Sequence, residues 1–268
     1  MENLTVAAVC MRSVPGSVED NFDRLKSMTD EASSGGADVV CFPECTLTGY
    51  VLNAVDQAYG SLDLRTAVHR LLPVAEKAGV VVIAGLIEPV SGKKPYITQI
   101  VVGPGGLLGR YRKTHLSPPE EAVYQPGQSV ERFHVNGTVL GVQLCYEAHF
   151  PELSTRMALM GADVIFMPHA SPRGTPEEKR QSWMRHLPAR AFDNGLFVVA
   201  CNPVGMSRGG LSFPGVALIL GPDGRQVAAY AGDEETILYA TLDADLLKRV
   251  RGHRMRYFLP RRRPELYR

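Results

Sequence analysis

The sequence lacks the features typical of membrane, secreted or general nucleic-acid-binding proteins. No apolar run approaches the ~20 residues of a membrane helix, and the opening residues MENLTVAAVCMRS have no basic region of the kind that begins a signal peptide. With 29 Lys and Arg against 28 Asp and Glu, the formal net charge of +1 lacks the cationic surplus that phosphate-driven binding needs. We therefore expect a cytoplasmic protein whose partner is neither a membrane nor a nucleic acid.

Cysteine pairs that could form disulfides or bind a metal are also missing. The five cysteines are odd in number, form no CxxC pair and lie mostly in apolar strands, so they predict neither a disulfide framework nor a zinc site. The histidines do not have the short helical spacing of a metal site either. We expect no metal and no other cofactor, and reduced thiols fit a cytoplasmic location.

What the sequence does contain is an alternation of apolar strands and amphipathic helices. Residues 4–10 predict a buried strand, residues 17–34 carry apolar side chains at helical spacing, and residues 38–42 predict a second strand. The chain of 268 residues is 45% hydrophobic and 21% charged, which suits an ordinary globular core. Because no linker rich in Pro, Gly or Ser divides it, we expect a single domain over residues 1–268.

Similar segments occur in the same order in the two halves of the chain. The segment GADVVCFPE (36–44) recurs as GADVIFMPH (161–169), and IVVGPGGLLGRY (100–111) recurs as LILGPDGRQVAAY (218–230). This repeat predicts a pseudo-twofold α/β domain. Because each half carries more strand than one helix-covered sheet needs, we favour a four-layer α-β-β-α sandwich of two mixed sheets with helices outside. A three-layer doubly wound sheet is the alternative.

Three polar residues with complementary chemistry stand at the ends of predicted strands. The strand from Val139 to Leu144 stops at Cys145, Glu44 follows VVCFP, and Lys113 follows LLGRYR. Since strand ends gather at common edges in such folds, these side chains can meet. A carboxylate as general base, an ammonium that favours a thiolate and an oxyanion, and a thiol together predict a hydrolase. Taken alone, Cys145 has the pattern of a buried structural thiol.

The segments around these residues resemble the signatures of the nitrilase superfamily, the carbon-nitrogen hydrolases. The matching segments are FPEC with the following TGY, then YRKTHL, then GVQLCYEAHFPEL, and the similarity covers nearly the whole chain. The resemblance implies the four-layer sandwich, with Glu44 as base, Lys113 as oxyanion stabiliser and Cys145 as nucleophile. It also implies a second glutamate seven residues before the glycine of a PG pair, which is Glu120, with Glu121 as the less favoured neighbour.

The resemblance further implies an amidase-type reaction without a cofactor. The substrate would be a small linear amide or carbamoyl compound, and ammonia or an amine would leave as a thioester forms on Cys145. Lys113 and the backbone N–H of Tyr146 would hold the oxyanion, and Glu120 would position the substrate or Lys113. A nitrilase that uses the same cysteine is one alternative, and a non-catalytic scaffold protein with this fold is another.

Substrate contacts are harder to assign, since loop side chains cannot be aimed from sequence. His149 follows Cys145 by four residues, where members of the resembled family carry Arg or Trp. In members that bind a substrate carboxylate, arginines near the nucleophile help to do so. The histidine therefore argues against a carboxylate-bearing substrate unless Arg173 supplies a cation instead. The candidates for substrate contact are Tyr50, Tyr146, His149, His169 and Arg173.

The C-terminal segment 248–263, KRVRGHRMRYFLPRRR, is a local surplus of positive charge. Its arginines are interleaved with Tyr257, Phe258 and Leu259, which favours packing over nucleic-acid binding. The segment also stands where the resembled family has an extended arm. We expect residues 248–268 to form an arm that packs on a partner subunit, in a homodimer or a larger homo-oligomer.

Overall fold

The computed structural model describes residues 1–53, 59–60, 62–207 and 210–266. In the first half of the chain the elements are, in order, β1 (Leu4–Cys10), α1 (Val18–Ser34), β2 (Val39–Cys41), α2 (Leu64–Ala78), β3 (Val81–Val90), β4 (Lys93–Gly103), β5 (Gly106–Arg112) and α3 (Pro118–Glu121).

The elements of the second half follow a related order. They are β6 (Arg132–Val135), β7 (Thr138–Val142), α4 (Pro151–Leu159), β8 (Val164–Pro168), α5 (Pro176–Met184), α6 (Leu187–Asn194), β9 (Phe197–Cys201), β10 (Gly205–Met206), β11 (Ser212–Phe213), β12 (Gly215–Leu220), β13 (Gln226–Gly232), β14 (Thr236–Leu242) and α7 (Ala244–Gly252). Short 3-10 helices span Cys145–His149, Leu259–Arg261 and Pro264–Leu266. In the described residues, no helix has both the length and the apolar character that crossing a membrane requires.

The two large sheets have the same strand order and the same pairing directions. Among the described residues, one sheet runs β14-β1-β2-β3-β4-β5 and the other runs β6-β7-β8-β9-β12-β13. The pairs β1-β2 and β2-β3 are parallel, as are β7-β8 and β8-β9, and the other pairs in both sheets are antiparallel. This correspondence confirms the predicted pseudo-twofold repeat and the four-layer sandwich, and the three-layer alternative is wrong.

Strand β1 shows how the layers are stacked. Val6, Ala8 and Cys10 belong to the core between the two sheets, whereas Ala7 and Val9 belong to the core beneath α1 and α2. Successive side chains of a strand point to opposite faces, so both faces of β1 are buried. That burial explains why the strand has a continuous apolar sequence rather than an alternating one.

The basic C-terminal segment begins inside a helix. Residues 248–252 belong to α7, and Arg251 of this helix forms an ion pair with Asp163 of its own chain at 2.7 Å. Val250 is buried as well, so the start of this segment lies in a helix that packs on its own subunit, and the point where an arm begins stays a prediction. Farther along, Phe258 is exposed. Packing of the remaining arm on a partner stays a prediction, and residues 267–268 lie outside the described residues.

Candidate active site

Cys145 stands at a sharp turn between β7 and a short helix. The strand ends at Val142, and the 3-10 helix begins at Cys145 itself. Its φ of 32° lies in the left-handed region that residues other than glycine seldom adopt. Cys145 is partly exposed, whereas the other four cysteines are buried. It is therefore the thiol that a small molecule can reach.

Glu44, Lys113 and Glu120 form a buried ionic network. The Nζ atom of Lys113 lies 2.8 Å from Oε1 of Glu44 and 2.7 Å from Oε1 of Glu120, with all three side chains almost inaccessible to solvent. The hydroxyl of Tyr50 donates to Oε1 of Glu120 at 3.0 Å, and the N–H of Ser117 donates to its Oε2 at 2.7 Å. The ammonium of Lys113 is thus shared between two carboxylates. Tyr50 and Ser117 hold the carboxylate of Glu120 in place.

Equivalent strands of the two halves bring this network together. Glu44 follows β2 and His169 follows β8, its counterpart in the repeat, and the N–H of Glu44 donates to the carbonyl of His169 at 3.1 Å. Lys113 follows β5, where its N–H donates to the carbonyl of Ile97 at 2.9 Å and its own carbonyl accepts from Gly127 at 2.7 Å. These backbone hydrogen bonds therefore fix the positions from which the side chains of Glu44 and Lys113 extend.

Burial and neighbouring charges shift the pKa values of these groups by different amounts and in different directions. Burial raises the pKa of Glu44 to about 7, and Lys113 opposes this only in part. Burial also acts to raise the pKa of Glu120, but Lys113 outweighs it and holds that pKa below its usual value. Burial, and then the charge of Glu44, raises the pKa of the Cys145 thiol to about 12. The thiol therefore keeps its proton near neutral pH until a base removes it.

One oxygen of Glu44 is available for that task. Within the described part of the chain, its buried Oε2 has no hydrogen-bond partner, whereas Oε1 accepts from Lys113. A buried polar atom without a partner is uncommon in folded proteins. Burial acts to lower the pKa of Lys113, but the charges of Glu44 and Glu120 raise it above its ordinary value, so the ammonium stays charged. The network therefore offers one free base oxygen beside one fixed positive charge.

Lys113, Glu120 and Cys145 line a cavity of about 190 Å³, and Glu44 contacts Lys113. This is less than the roughly 300 Å³ at which ordinary ligand pockets begin, so the cavity suits a small substrate. Four of the candidates for substrate contact, Tyr50, Tyr146, His149 and His169, lie in its wall, and their contact with a substrate stays a prediction. Further wall residues are Ser171, Pro172, Lys179, Ser182, Trp183 and His186.

Two candidates from the sequence lie elsewhere. Arg173 is exposed and is not among the wall residues of the cavity, because the chain turns there through a left-handed φ of 72° before α5 begins. The expectation that Arg173 supplies a cation to the pocket is therefore corrected. Glu121 is exposed, and the buried Glu120 is the neighbour that contacts Lys113.

The histidines of the cavity wall carry no charge at neutral pH. His169 packs on Trp183 with ring centroids 4.1 Å apart, and burial lowers its pKa to about 3. Its Nδ1 lies 2.7 Å from the carbonyl oxygen of Met167, which can only accept, so Nδ1 carries the hydrogen and Nε2 is an acceptor. The rings of His149 and His186 lie 4.5 Å apart, and burial lowers both pKa values, that of His186 to about 4.

Glu147 is a buried residue of the site that sequence reasoning missed. Its Oε1 accepts from the N–H and the hydroxyl of Thr114, each at 2.6 Å, and its Oε2 accepts from the N–H of Leu144 at 2.7 Å. Thr114 follows Lys113 and Leu144 precedes Cys145, so one carboxylate links the segments that carry Lys113 and Cys145. The only signal in the sequence was an acidic residue two positions after the cysteine, which looks the same as a solvated charge.

The fold and the site together define a cysteine-dependent hydrolase with an α-β-β-α sandwich. The chain belongs to the carbon-nitrogen hydrolase family, whose family model matches residues 5–252. It is similar to the nitrilase of Pyrococcus abyssi, with 31% identity over 93% of each chain. It is also similar to an (R)-stereoselective amidase of Pseudomonas sp., with 33% identity over 81% of this chain and 77% of the relative.

A solved structure with the same fold is the amidase from Nesterenkonia sp. Its TM-score is 0.84 and its identity is 26%, over 98% of this chain and 95% of the amidase. In one form of that amidase, the acetamide moiety of fluoroacetamide is covalently attached to the active-site cysteine. The family membership and these similarities identify the protein as a carbon-nitrogen hydrolase.

Proposed function

We propose that the protein hydrolyses a small linear amide or carbamoyl compound through a thioester on Cys145. The observation that carries the proposal is one small cavity lined by the thiol of Cys145 and the ammonium of Lys113, where that ammonium contacts Glu44, whose buried Oε2 has no partner among the described residues. The amidases among the similar proteins support an amide as the reacting group. The roles of the individual residues follow from their contacts.

In the first half-reaction, Glu44 takes the proton from the sulfur of Cys145 and the thiolate attacks the amide carbon. The carbonyl oxygen becomes an oxyanion, which the ammonium of Lys113 stabilises. Tyr146 lies in the first turn of the 3-10 helix, where backbone N–H groups have no partner within the helix, and its N–H is the second donor. Glu44 then returns the proton to the leaving nitrogen, so that ammonia or an amine departs and the thioester remains.

In the second half-reaction, Glu44 takes a proton from a water molecule and the resulting hydroxide attacks the thioester. The same two donors hold the oxyanion. The carbon–sulfur bond then breaks, the proton on Glu44 returns to Cys145, and the carboxylic acid product leaves. A general base contributes about 10²- to 10⁴-fold to such steps. Glu120 takes no proton in this scheme, because its low pKa and its contact at 2.7 Å suit it to hold Lys113 in place.

A nitrilase reaction is the second candidate, favoured by the similarity to the Pyrococcus abyssi nitrilase. The same thiol could attack a nitrile carbon. An ammonia-release screen over small amides, carbamoyl compounds and nitriles separates the candidates, with Cys145→Ala as the matched control. We expect ammonia from amides or carbamoyl compounds in preference to nitriles. Faster conversion of nitriles would make the protein a nitrilase, and no release from any class by folded protein would favour a scaffold role.

A further inference from the structure

His169 presents an acceptor nitrogen to the cavity. Its Nδ1–H donates to the carbonyl of Met167 at 2.7 Å, which leaves Nε2 with a lone pair. Nε2 accepts no hydrogen bond from the described part of the chain, yet it is not one of the fully buried atoms that lack a partner. Because His169 lines the cavity, this nitrogen is open to a molecule bound there.

The backbone on either side of this ring contacts the segments of the base and the nucleophile. The carbonyl of His169 accepts from the N–H of Glu44 at 3.1 Å. Burial raises the pKa of Cys145, and the backbone of Ala170 lies near enough to the sulfur to oppose that rise. Residues 169–170 are therefore adjacent to the two groups that exchange a proton in the first half-reaction.

The ring of His169 is held in one orientation and stays neutral. Its Nδ1 is fixed by the hydrogen bond to Met167, and its face packs on Trp183 with ring centroids 4.1 Å apart. Burial lowers its pKa to about 3, and the nearby ammonium of Lys113 acts in the same direction. At neutral pH, Nε2 therefore remains an acceptor whose position is set before a substrate binds.

The nitrogen of a bound amide needs acceptors of this kind. In the proposed mechanism, the carbonyl oxygen of the amide accepts from Lys113 and from the N–H of Tyr146. The two hydrogens on the nitrogen lose their water partners in the cavity, and an unpaired donor there is unfavourable. The free Oε2 of Glu44 can accept from one of them. Both oxygens of Glu120 already accept from protein groups.

We propose that Nε2 of His169 accepts a hydrogen bond from the N–H group of the reacting amide. His169 then selects amides over compounds that carry an oxygen, or no hydrogen, at this position. The contact strengthens as Glu44 returns the proton, because the leaving nitrogen becomes more positive and a hydrogen bond from a charged donor is stronger. This inference rests on the proposed amide hydrolysis and identifies the group that recognises the reacting nitrogen.

Butyramide and methyl butyrate test the proposal, because an ester oxygen replaces the amide nitrogen while both compounds form the same thioester. The comparison uses kcat/KM, which reports the steps up to the first product release. His169→Asn can keep the contact with Met167 through its side-chain amide but has no atom at the position of Nε2. We expect this variant to lower the amide-to-ester ratio by roughly 5- to 100-fold. His169→Gln can place its amide oxygen there and should restore part of the ratio.

His134→Asn serves as the control for the loss of a histidine. His134 is exposed on β6 and is not among the wall residues of the cavity, so the ratio should stay at the wild-type value. An equal loss for the amide and the ester in His169→Asn would overturn the proposal, because His169 would then only hold the segment in place. A ratio that does not change in His169→Asn would overturn it as well.

A spectroscopic measurement leaves His169 intact and separates this proposal from the proposed function. In Cys145→Ala with ¹⁵N-labelled histidine, the Nε2 resonance of His169 should shift on addition of butyramide and stay in place with methyl butyrate. If it shifts while the wild-type enzyme hydrolyses no amide, the contact stands and the amidase proposal fails. If the wild-type enzyme hydrolyses butyramide while the resonance does not respond to saturating amide, the amidase proposal stands and the contact fails.

Discussion

Replacing Cys145 with alanine should lower amide turnover by on the order of 10⁴-fold or more, the size of loss seen when a covalent nucleophile is removed. Without the sulfur no thioester can form, and the other four cysteines are buried and cannot replace it. The buried network of Glu44 and Lys113 does not depend on the sulfur, so the variant should fold normally. Steady-state ammonia release, with a thermal unfolding curve as the folding check, measures the effect.

The matched control is Cys10→Ala. Cys10 ends β1, the counterpart of β7 in the repeat, and it is buried in the core between the sheets. Its loss should reduce stability by about 1 kcal/mol, as for the removal of a small buried group, and leave turnover intact. If Cys145→Ala retained as much activity as Cys10→Ala, the assignment of the nucleophile would be wrong.

The activity of the wild-type enzyme should fall as the pH drops below about 7, because burial raises the pKa of Glu44 to that value. Only the ionised carboxylate can take a proton, so the active form is lost as pH decreases through the pKa. Glu44→Gln cannot accept a proton and should lower kcat/KM by about 10²- to 10⁴-fold. A profile of kcat/KM between about pH 3.5 and pH 9, which includes the ordinary carboxyl pKa, measures both effects.

The control for this prediction is Glu121→Gln, which removes an exposed carboxylate next to the network. It should keep both the rate and the acidic limb of the wild-type profile. An acidic limb near the ordinary carboxyl pKa of about 4.3 would mean that burial does not raise the pKa of the general base. Retention of the wild-type rate by Glu44→Gln would remove Glu44 from the mechanism.

The fold could be predicted because the two halves of the sequence contain similar segments in the same order. The segments 36–44 and 161–169 share a strand and the turn after it, and in the structure they become β2 and β8 with their following residues. Strand boundaries were less certain. The strand predicted from Val139 to Leu144 ends at Val142, because the turn that sets the conformation of Cys145 takes up the last two residues.

The clustering of the candidate catalytic residues could also be predicted, because Glu44, Lys113 and Cys145 each lie within three residues of the end of a strand. A short link from a buried strand leaves little freedom in where the next side chain lies. Glu120 came only from the family resemblance. Its contact with Lys113 depends on the capping box with Ser117, which joins two residues three apart within one turn.

The part of the cavity wall that α5 supplies could not be predicted, because its side chains come from a longer connection. Arg173 is close to α5 in sequence, yet a left-handed turn keeps it at the surface. Lys179 lies six residues farther along, and only the rotation of α5 decides that its side chain lines the cavity rather than that of Arg180. The buried Glu147 was not predicted either, because a single sequence does not show whether a charged residue is buried or exposed.

The formation of a thioester on Cys145 is the central claim, and partitioning of the product between water and hydroxylamine tests it most directly. A thioester reacts with water to give the carboxylate and with hydroxylamine to give the hydroxamate. We expect an amide and an ester of the same acid to give the same ratio of carboxylate to hydroxamate, since both pass through the same intermediate. A ratio that depends on the leaving group would contradict a common thioester on Cys145.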